Sequence, residues 1–281
     1  MTRATSTTTH GPVRAVHAIT LGEVQVRPKN IEGTGTPMLW WTLTARTWSP
    51  WLPVLAFVIE HERGTVLFDT GQSPDSLTDP GYYPGGMLGW VYRRQARFRV
   101  PAEQTLTAQL AALGFTAGDI THVALSHLHQ DHAGNLAPFT NVPVYVAPAE
   151  LALLEQKTPE LHGVLAARIP PPGVTLTPVP FTDADEFDLF DDGSLVLMPT
   201  PGHSPGSMSL LIRRADAAPL LLVGDVTYDP ELLSRGIVPD VGDRADQLET
   251  ARRITELTSS EPTLRVLAAH DPSALTLLTQ P

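Results

Sequence analysis

The amino-acid sequence predicts an α/β fold with mixed β-sheets, and two observations support this prediction. Short β-branched or apolar runs bounded by Gly, Pro and Asp alternate with segments in which apolar residues recur every three to four positions, a pattern typical of strands interleaved with helices. In the first half, the runs Phe57–His61 and Val66–Asp69 are joined by the short segment Glu62–Gly64, which indicates a hairpin. The sheets should therefore contain antiparallel as well as parallel pairs.

The individual elements follow from the same patterns. Strands are expected at Leu55–Ile59, Val66–Phe68, His122–Leu125, Val144–Val146, Leu195–Met198, Ser209–Ile212, Leu220–Val223 and Leu264–Ala268. Helices are expected at Ala102–Leu113, Ala149–Gln156, Pro159–Ala167 and Arg244–Leu257. The polar run Thr5–Thr9 and the turn signal Gly11-Pro12 predict a flexible N-terminal tail over residues 1–12. Because no linker or repeat interrupts residues 13–281, that part is expected to form a single domain.

The composition excludes several classes of function. The 281 residues carry 19 Lys and Arg against 30 Asp and Glu, a net charge of −11, which argues against nucleic acid or an anionic membrane as the main partner. The absence of Cys excludes disulfides, thiolate catalysis and sulfur-ligated metals, so any metal must be held by His and carboxylate. The longest apolar stretch, Trp51–Ile59, is far shorter than the roughly 20 residues of a membrane span, and no apolar run suits a signal peptide. A cytoplasmic location is the expectation.

The segment Ser126–Asn135 carries the most chemical information. It places four potential metal ligands within six residues, namely His127, His129, Asp131 and His132. If the chain is extended after its strand, His127 and His129 point the same way and can bind one ion. Asp131 and His132 then lie beyond the turn and face a second ion. The alternative is a loop of four solvated polar residues.

Three further segments each place a candidate ligand directly after an expected strand. They are Thr200–Ser207 with His203, Leu222–Tyr228 with Asp225, and Leu267–Asp271 with His270. Functional residues of α/β folds commonly lie at such strand ends. This placement predicts a four-layer αβ/βα sandwich, in which two mixed sheets pack face to face, helices lie outside, and metals bind at one edge between the sheets.

The order and context of these segments resemble the metallo-β-lactamase superfamily, from about Leu55 to about Asp271, including the strand and turn at Val66–Gly71. Carried over by position, the resemblance implies that one metal is held by His127, His129 and His203, that the other is held by Asp131, His132 and His270, and that Asp225 bridges them. Two divalent ions are implied, with zinc preferred and iron, cobalt or manganese as alternatives. Such a pair supports hydrolysis, because it supplies hydroxide at neutral pH and polarises a carbonyl or phosphoryl oxygen.

Within the superfamily, the sequence most resembles the N-acyl homoserine lactonases. The resemblance rests on Phe57–His61 leading into Val66–Gly71, on Ser126–Gly134, on Thr200–Ser207, and on Tyr228 three residues after Asp225. It implies a lactonase that opens the ring with metal-held hydroxide, Tyr228 hydrogen-bonding the developing oxyanion or leaving oxygen and Asp131 transferring a proton. The alternative for Tyr228 is a buried aromatic before a helix. A metal-dependent esterase or a phosphoesterase on the same fold is the second candidate function.

Three features leave alternatives open. The aromatic segments Trp40–Trp51 and Tyr82–Tyr92 suit either the wall of a pocket for an apolar-chain lactone or ester, or the contact of a homodimer. The basic run Arg93–Arg99 suits a solvated face or an anionic substrate. Asp69 suits a hydrogen bond to a ligand His or a turn before Thr70-Gly71.

Overall fold

Two β-sheets form the centre of the fold in the computed structural model, which describes residues 5–8, 11–181 and 186–279. The strands are β1 (Thr5–Thr8), β2 (Val13–Val26), β3 (Leu52–His61), β4 (Gly64–Phe68), β5 (Ala96–Arg99), β6 (His122–Ala124), β7 (Val144–Val146), β8 (Leu176–Pro178), β9 (Phe187–Asp188), β10 (Leu195–Pro199), β11 (Met208–Arg214), β12 (Ala217–Leu222) and β13 (Arg265–Leu267). The helices are α1 (Met38–Thr44), α2 (Asp75–Thr78), α3 (Gly86–Gln95), α4 (Leu106–Leu113), α5 (Gln130–Ala133), α6 (Pro148–Leu154), α7 (Pro230–Ser234), α8 (Arg244–Ser260) and α9 (Ala274–Thr279).

Both sheets are mixed, as the sequence predicts. The first has the order β1-β2-β3-β4-β6-β7-β8, with β5 paired to β2, and its strands from β4 onward run parallel. The second has the order β13-β12-β11-β10-β9, and only β12 and β13 pair in parallel. The expected hairpin is confirmed, since β3 and β4 pair antiparallel from Phe57 opposite Phe68 to His61 opposite Gly64.

Alternation along the strands builds three buried layers. In β3, Leu55, Phe57 and Ile59 face the second sheet, whereas Ala56 and Val58 face the opposite side because successive side chains of a strand point to opposite faces. The outer side of the first sheet is covered by α4 and α6, and that of the second by α7 and α8. The order helix, sheet, sheet, helix confirms the expected four-layer αβ/βα sandwich.

All eight expected strands overlap strands of the structure, but one expected helix is wrong. In place of a helix over Pro159–Ala167, a single 3-10 turn spans Pro159–His162. It ends at Gly163, whose φ of 81° is left-handed. That conformation stops the helix, and a glycine adopts it readily.

The N-terminal part contains elements that the sequence patterns do not reveal. Strand β2 is almost entirely buried, and a strand buried on both faces lacks the polar alternation by which strands are recognised. Thr5–Thr8, within the expected flexible tail, form β1, which pairs with β2 from Thr5 opposite Ala18 to Thr8 opposite Ala15. Residues 1–4, 9 and 10 of that tail lie outside the described residues. The flexible tail over residues 1–12 and the single-domain organisation of 13–281 stay predictions.

The candidate ligands follow β6, β10, β12 and β13, and their loops are tied to one another by backbone hydrogen bonds. The Met208 amide donates to the Ser126 carbonyl at 2.9 Å and so links the two sheets. The Ala269 amide donates to the Gly224 carbonyl at 3.0 Å, and the Leu55 amide donates to the Ala269 carbonyl at 2.9 Å. These bonds bring the loops together at one edge. Within the described ranges, no helix combines the length and apolar character needed to cross a bilayer.

The core between the sheets should dominate stability. Leu210 of β11 is fully buried in it, whereas Leu248 of α8 is 38% exposed. We expect Leu210→Ala to lower the free energy of unfolding by about 2–5 kcal/mol because it removes buried methyl groups and leaves a cavity. Leu248→Ala is the control, and chemical denaturation measures the free energy of unfolding of both variants. An equal loss of unfolding free energy in Leu248→Ala would contradict the expectation.

Candidate metal centre

Seven side chains singled out by the sequence converge at the edge between the two sheets. They form three overlapping groups, namely His127, His129 and His203; His127, His132 and Asp225; and Asp131, His132 and His270. Within each group the potential ligand atoms lie within 4.8 Å of one another. The structure therefore brings together every residue that the sequence proposes as a metal ligand.

The local chain path explains the arrangement of the first four. The chain does not enter a helix directly after β6. His129, the N-cap residue of α5, is extended, with φ −67° and ψ 153°. The short turn of α5 then carries His132 back toward His127, and their ring centroids lie 4.1 Å apart. An extended segment followed at once by a helical turn thus directs alternate and then adjacent side chains to one place.

Asp225 lies at the centre of the cluster. Its Oδ1 is 3.2 Å from Nε2 of both His132 and His270, and its Oδ2 is 3.5 Å from Nε2 of His203. Burial opposes ionisation of this carboxyl, but the charges of His270 and His132 outweigh it and hold the pKa of Asp225 well below its usual range. The group is therefore an anion facing several imidazoles.

Burial lowers the pKa of two of the neighbouring imidazoles, those of His127 and His203. Burial, and after it the charge of His132, lowers the pKa of His127 well below its ordinary value. Burial lowers the pKa of His203 to about 3, although Asp225 opposes the shift. These two rings are consequently neutral at physiological pH, which is the form of His that binds metal.

Several buried polar atoms of the cluster make no hydrogen bond with any residue that the structure describes. These atoms are Nε2 of His127, His132 and His270, Nδ1 of His203 and Oδ1 of Asp225. An unpartnered buried polar atom is costly, and native proteins rarely leave one without a ligand, ion or water. Nitrogen and carboxylate oxygen donors without sulfur suit zinc and related transition metals. The cluster therefore fits a divalent metal site.

Asp69 holds the other ring nitrogen of His132 from outside the cluster. Asp69 Oδ2 accepts a hydrogen bond from Nδ1 of His132 at 2.9 Å, and its two oxygens also accept from Ser126 N–H and O–H at 2.7 and 2.8 Å. Its φ of 63° is left-handed as well. Asp69 thus has both features proposed from the sequence, a hydrogen bond to a candidate ligand His and a turn conformation.

Backbone carbonyls orient two more rings. Nδ1 of His270 bonds the Pro53 carbonyl at 2.8 Å, and Nε2 of His129 bonds the His162 carbonyl at 3.1 Å. Such bonds fix ring orientation and tautomer. Nε2 of His270 and Nδ1 of His129 consequently face the cluster, where Nδ1 of His129 lies 3.0 Å from Nε2 of His203.

Tyr228 lies against this cluster. Its hydroxyl donates to Asp225 Oδ2 at 3.2 Å, and its ring stacks on His270 with centroids 5.1 Å apart. Burial, reinforced by the charges of Asp225 and Asp131, raises the pKa of Tyr228 well above its ordinary value, and the Asn30 side chain only partly offsets this. Tyr228 is therefore a protonated hydrogen-bond donor at the edge of the site.

The aromatic segments divide between several environments. Burial raises the pKa of Tyr83 to about 12, and the charge of Asp131 contributes to the rise. Trp41 is buried, whereas Trp40 is 65% and Met87 75% exposed. Tyr83 thus senses the charge of a candidate ligand, and the exposed parts of α1 and α3 present apolar side chains to solvent.

The basic run makes contacts within the chain. Arg94 donates to the carbonyls of Thr42 and Ala45 at 3.1 and 3.0 Å, and so provides hydrogen-bond donors for backbone carbonyls at the C-terminal end of α1. The Arg97 guanidinium lies 4.2 Å from the centroid of the Trp48 ring, and Arg99 pairs with Glu23. These contacts give Arg94, Arg97 and Arg99 structural partners.

Sequence reasoning missed several residues around the site. Glu150 is fully buried and accepts hydrogen bonds from Leu128 and Ser204, neighbours of candidate ligands. Asn30 approaches Tyr228 from the unrecognised N-terminal part. Glu150 lies in an expected helix, but a lone Glu there gives no signal, and only the burial of a carboxylate in the structure reveals it.

Comparison with known proteins agrees with this geometry. Residues 49–270 match the metallo-beta-lactamase superfamily. The chain is 32% identical over 228 residues to an N-acyl homoserine lactonase AttM of Rhizobium radiobacter, which covers 79% of this chain and 83% of that protein. It is 28% identical over 222 residues to the lactonase AiiA of Bacillus thuringiensis subsp. kurstaki, covering 78% and 82%.

Two solved structures share the fold. An N-acyl homoserine lactone hydrolase with N-hexanoyl-L-homoserine at its catalytic metal centre superposes with a TM-score of 0.74 over 95% of both chains, at 24% identity. The dizinc lactonase AidC superposes with a TM-score of 0.65 over 96% of this chain and 91% of its own, at 16% identity.

The contact between Asp69 and His132 should support metal binding. We expect Asp69→Ala to weaken binding of a divalent ion by about 10–100-fold, because His132 loses the partner that orients it. Competition against a chelator measures this loss. Asp75→Ala, at an exposed position on α2, is the control, and equal affinities in the two variants would argue against the contact.

Proposed function

Because the chain belongs to the metallo-β-lactamase superfamily, we propose that it is a dinuclear metal-dependent hydrolase that opens the ring of N-acyl homoserine lactones or related lactones. Its relatives AttM and AiiA are named N-acyl homoserine lactonases, which supports hydrolysis of an ester bond. The observation that carries the proposal is the protonated Tyr228 hydroxyl, 3.2 Å from Asp225 at the edge of the His cluster.

We propose the following division of the ligands. One ion would be held by His127, His129 and His203, the other by Asp131, His132 and His270, and Asp225 would contribute to both. The short distances from the two Asp225 oxygens to His132, His270 and His203 support the bridging role. Zinc is the proposed metal, because the donor set suits it and a structural neighbour is a dizinc lactonase; iron, cobalt and manganese are the alternatives.

The residues around the ions have distinct tasks in the proposed reaction. When bound, the ions lower the pKa of water and polarise the lactone carbonyl. Water oxygen bonds to the carbonyl carbon, the ring C–O bond breaks, and the proton lost by water ends on the released hydroxyl. Tyr228 donates a hydrogen bond where negative charge develops, on the carbonyl oxygen or the leaving oxygen. Asp131, partly exposed and 3.5 Å from His270, accepts and passes the proton.

The substrate is proposed to carry an apolar chain. The charge of Asp131 contributes to the raised pKa of Tyr83, whose ring centroid lies 5.9 Å from that of Tyr92, and this supports an aromatic wall beside the site. Such a wall suits an acyl chain better than an anionic group. The contacts of Arg94, Arg97 and Arg99 within the chain weaken the case for a phosphate ester.

A substrate panel tests the proposal. Purified metal-loaded protein is assayed on acyl homoserine lactones, simple γ- and δ-lactones, aryl esters, a thioester and a phosphotriester. We expect the highest kcat/KM on the lactones, because Tyr228 assists the departure of a poor alkoxide leaving group. Preference for an aryl ester or a phosphorus ester over every lactone would replace the lactonase assignment with the esterase or phosphoesterase alternative.

The role of Tyr228 is tested by Tyr228→Phe. We expect lactone kcat to fall by about 10²–10³, the usual cost of removing one donor to an oxyanion. Hydrolysis of an aryl ester with an activated phenolate should fall less, because that group leaves without help. Metal content, measured by elemental analysis, should not change. Equal losses on both substrates would assign Tyr228 another role.

A further inference from the structure

Glu150 is a buried carboxylate whose surroundings are not explained by the fold alone. It lies in the first turn of α6 and has no exposed surface. Burying an ionised carboxylate is strongly unfavourable unless hydrogen bonds compensate it. A carboxylate in this position therefore calls for specific partners.

Three groups donate hydrogen bonds to it. Oε1 accepts from the Leu128 amide at 2.9 Å. Oε2 accepts from the Ser204 hydroxyl at 2.7 Å and from the Gly206 amide at 3.1 Å. A Cβ atom at Gly206 would lie only 2.2 Å from the Glu150 nitrogen, so glycine allows this close approach.

The partners are neighbours of the candidate ligands in the chain. Leu128 stands between His127 and His129, and Ser204 follows His203. These two segments follow strands of different sheets, β6 and β10. Glu150 thus joins the two loops that supply the three-histidine group. The other group is oriented elsewhere, through Asp69 and the Pro53 carbonyl.

We propose that Glu150 is a positioning residue that holds the His127–His129 and His203 loops in register, so that the three-histidine group can bind its metal ion. The inference rests on the proposed dinuclear centre. It assigns the two ions different supports, so that removal of Glu150 releases one ion selectively. A general loss of stability would weaken both sites together.

The variant Glu150→Gln separates these outcomes. An amide has the same shape but one acceptor oxygen, so in either orientation one backbone N–H, of Leu128 or of Gly206, faces an amide N–H₂ and loses its acceptor. Glu155→Gln, on an exposed residue at the end of the same helix, is the matched control. Ser204→Ala removes one donor and leaves the carboxylate in place.

Zinc-loaded protein is titrated with a chelator, and zinc per chain is measured by elemental analysis while circular dichroism reports folding. We expect the parent and Glu155→Gln to hold two ions. In Glu150→Gln, one ion should be lost at about 10–100-fold lower chelator concentration, the other should be retained, and excess zinc should restore kcat. Ser204→Ala should shift the same ion by a smaller factor.

Two outcomes overturn the inference. One is a folded Glu150→Gln protein that binds both ions with the parent's affinity. The other is a Glu150→Gln protein in which the affinity for both ions falls by the same factor. If Glu150→Gln does not fold, a Ser204→Ala protein with unchanged affinity for both ions overturns it. A parent that binds fewer than two ions contradicts the dinuclear centre instead, so the failure of each proposal is distinguishable.

Discussion

The structure depends on one constraint, the burial of an anionic Asp225 among histidines of which three, His127, His132 and His270, have an Nε2 atom that makes no hydrogen bond within the described part of the chain. Such a cluster is unfavourable by itself, because desolvation penalises the charges and unpartnered polar atoms lose their bonds to water. It persists because the surrounding structure holds each group firmly. A divalent cation would satisfy the free atoms, which explains why so many polar groups are directed to one point.

The sandwich provides the required rigidity. The two sheets share a core of alternating strand residues, and the loops that leave β6, β10, β12 and β13 meet at one edge. Backbone bonds join these loops across the sheets, as between Met208 and Ser126. Hydrogen bonds accepted by Asp69, by two backbone carbonyls and by Glu150 then fix the candidate ligands and the loops that carry them. Catalytic geometry in such a site is set by packing that lies several residues from the chemistry.

The N-terminal part of the chain contributes residues beside the site. The Asn30 side chain lowers the pKa of Tyr228, and the charge of Asp131 contributes to the raised pKa of Tyr83. Arginines that look like an anion site in the sequence instead bind carbonyls and an indole ring in this region. The family accounts for the fold and its hydrolase class, whereas the choice of substrate depends on the residues around the site.

The sequence by itself determined the mixed α/β architecture, eight of the strands and four of the candidate ligands, because short-range periodicity and the His-X-His-X-Asp-His spacing are local properties. The other three candidates, His203, Asp225 and His270, followed from their places after expected strands and from the family resemblance. It did not reveal β2, which is buried on both faces, nor that Gly163 ends the expected helix after one turn. Only the tertiary structure decided that Asp69 contacts His132 and that Glu150 joins two loops. Those contacts link residues more than 20 positions apart. The sequence does not indicate whether folding leaves a given carboxylate in water or buries it against a backbone amide, because that depends on which distant segment packs against it.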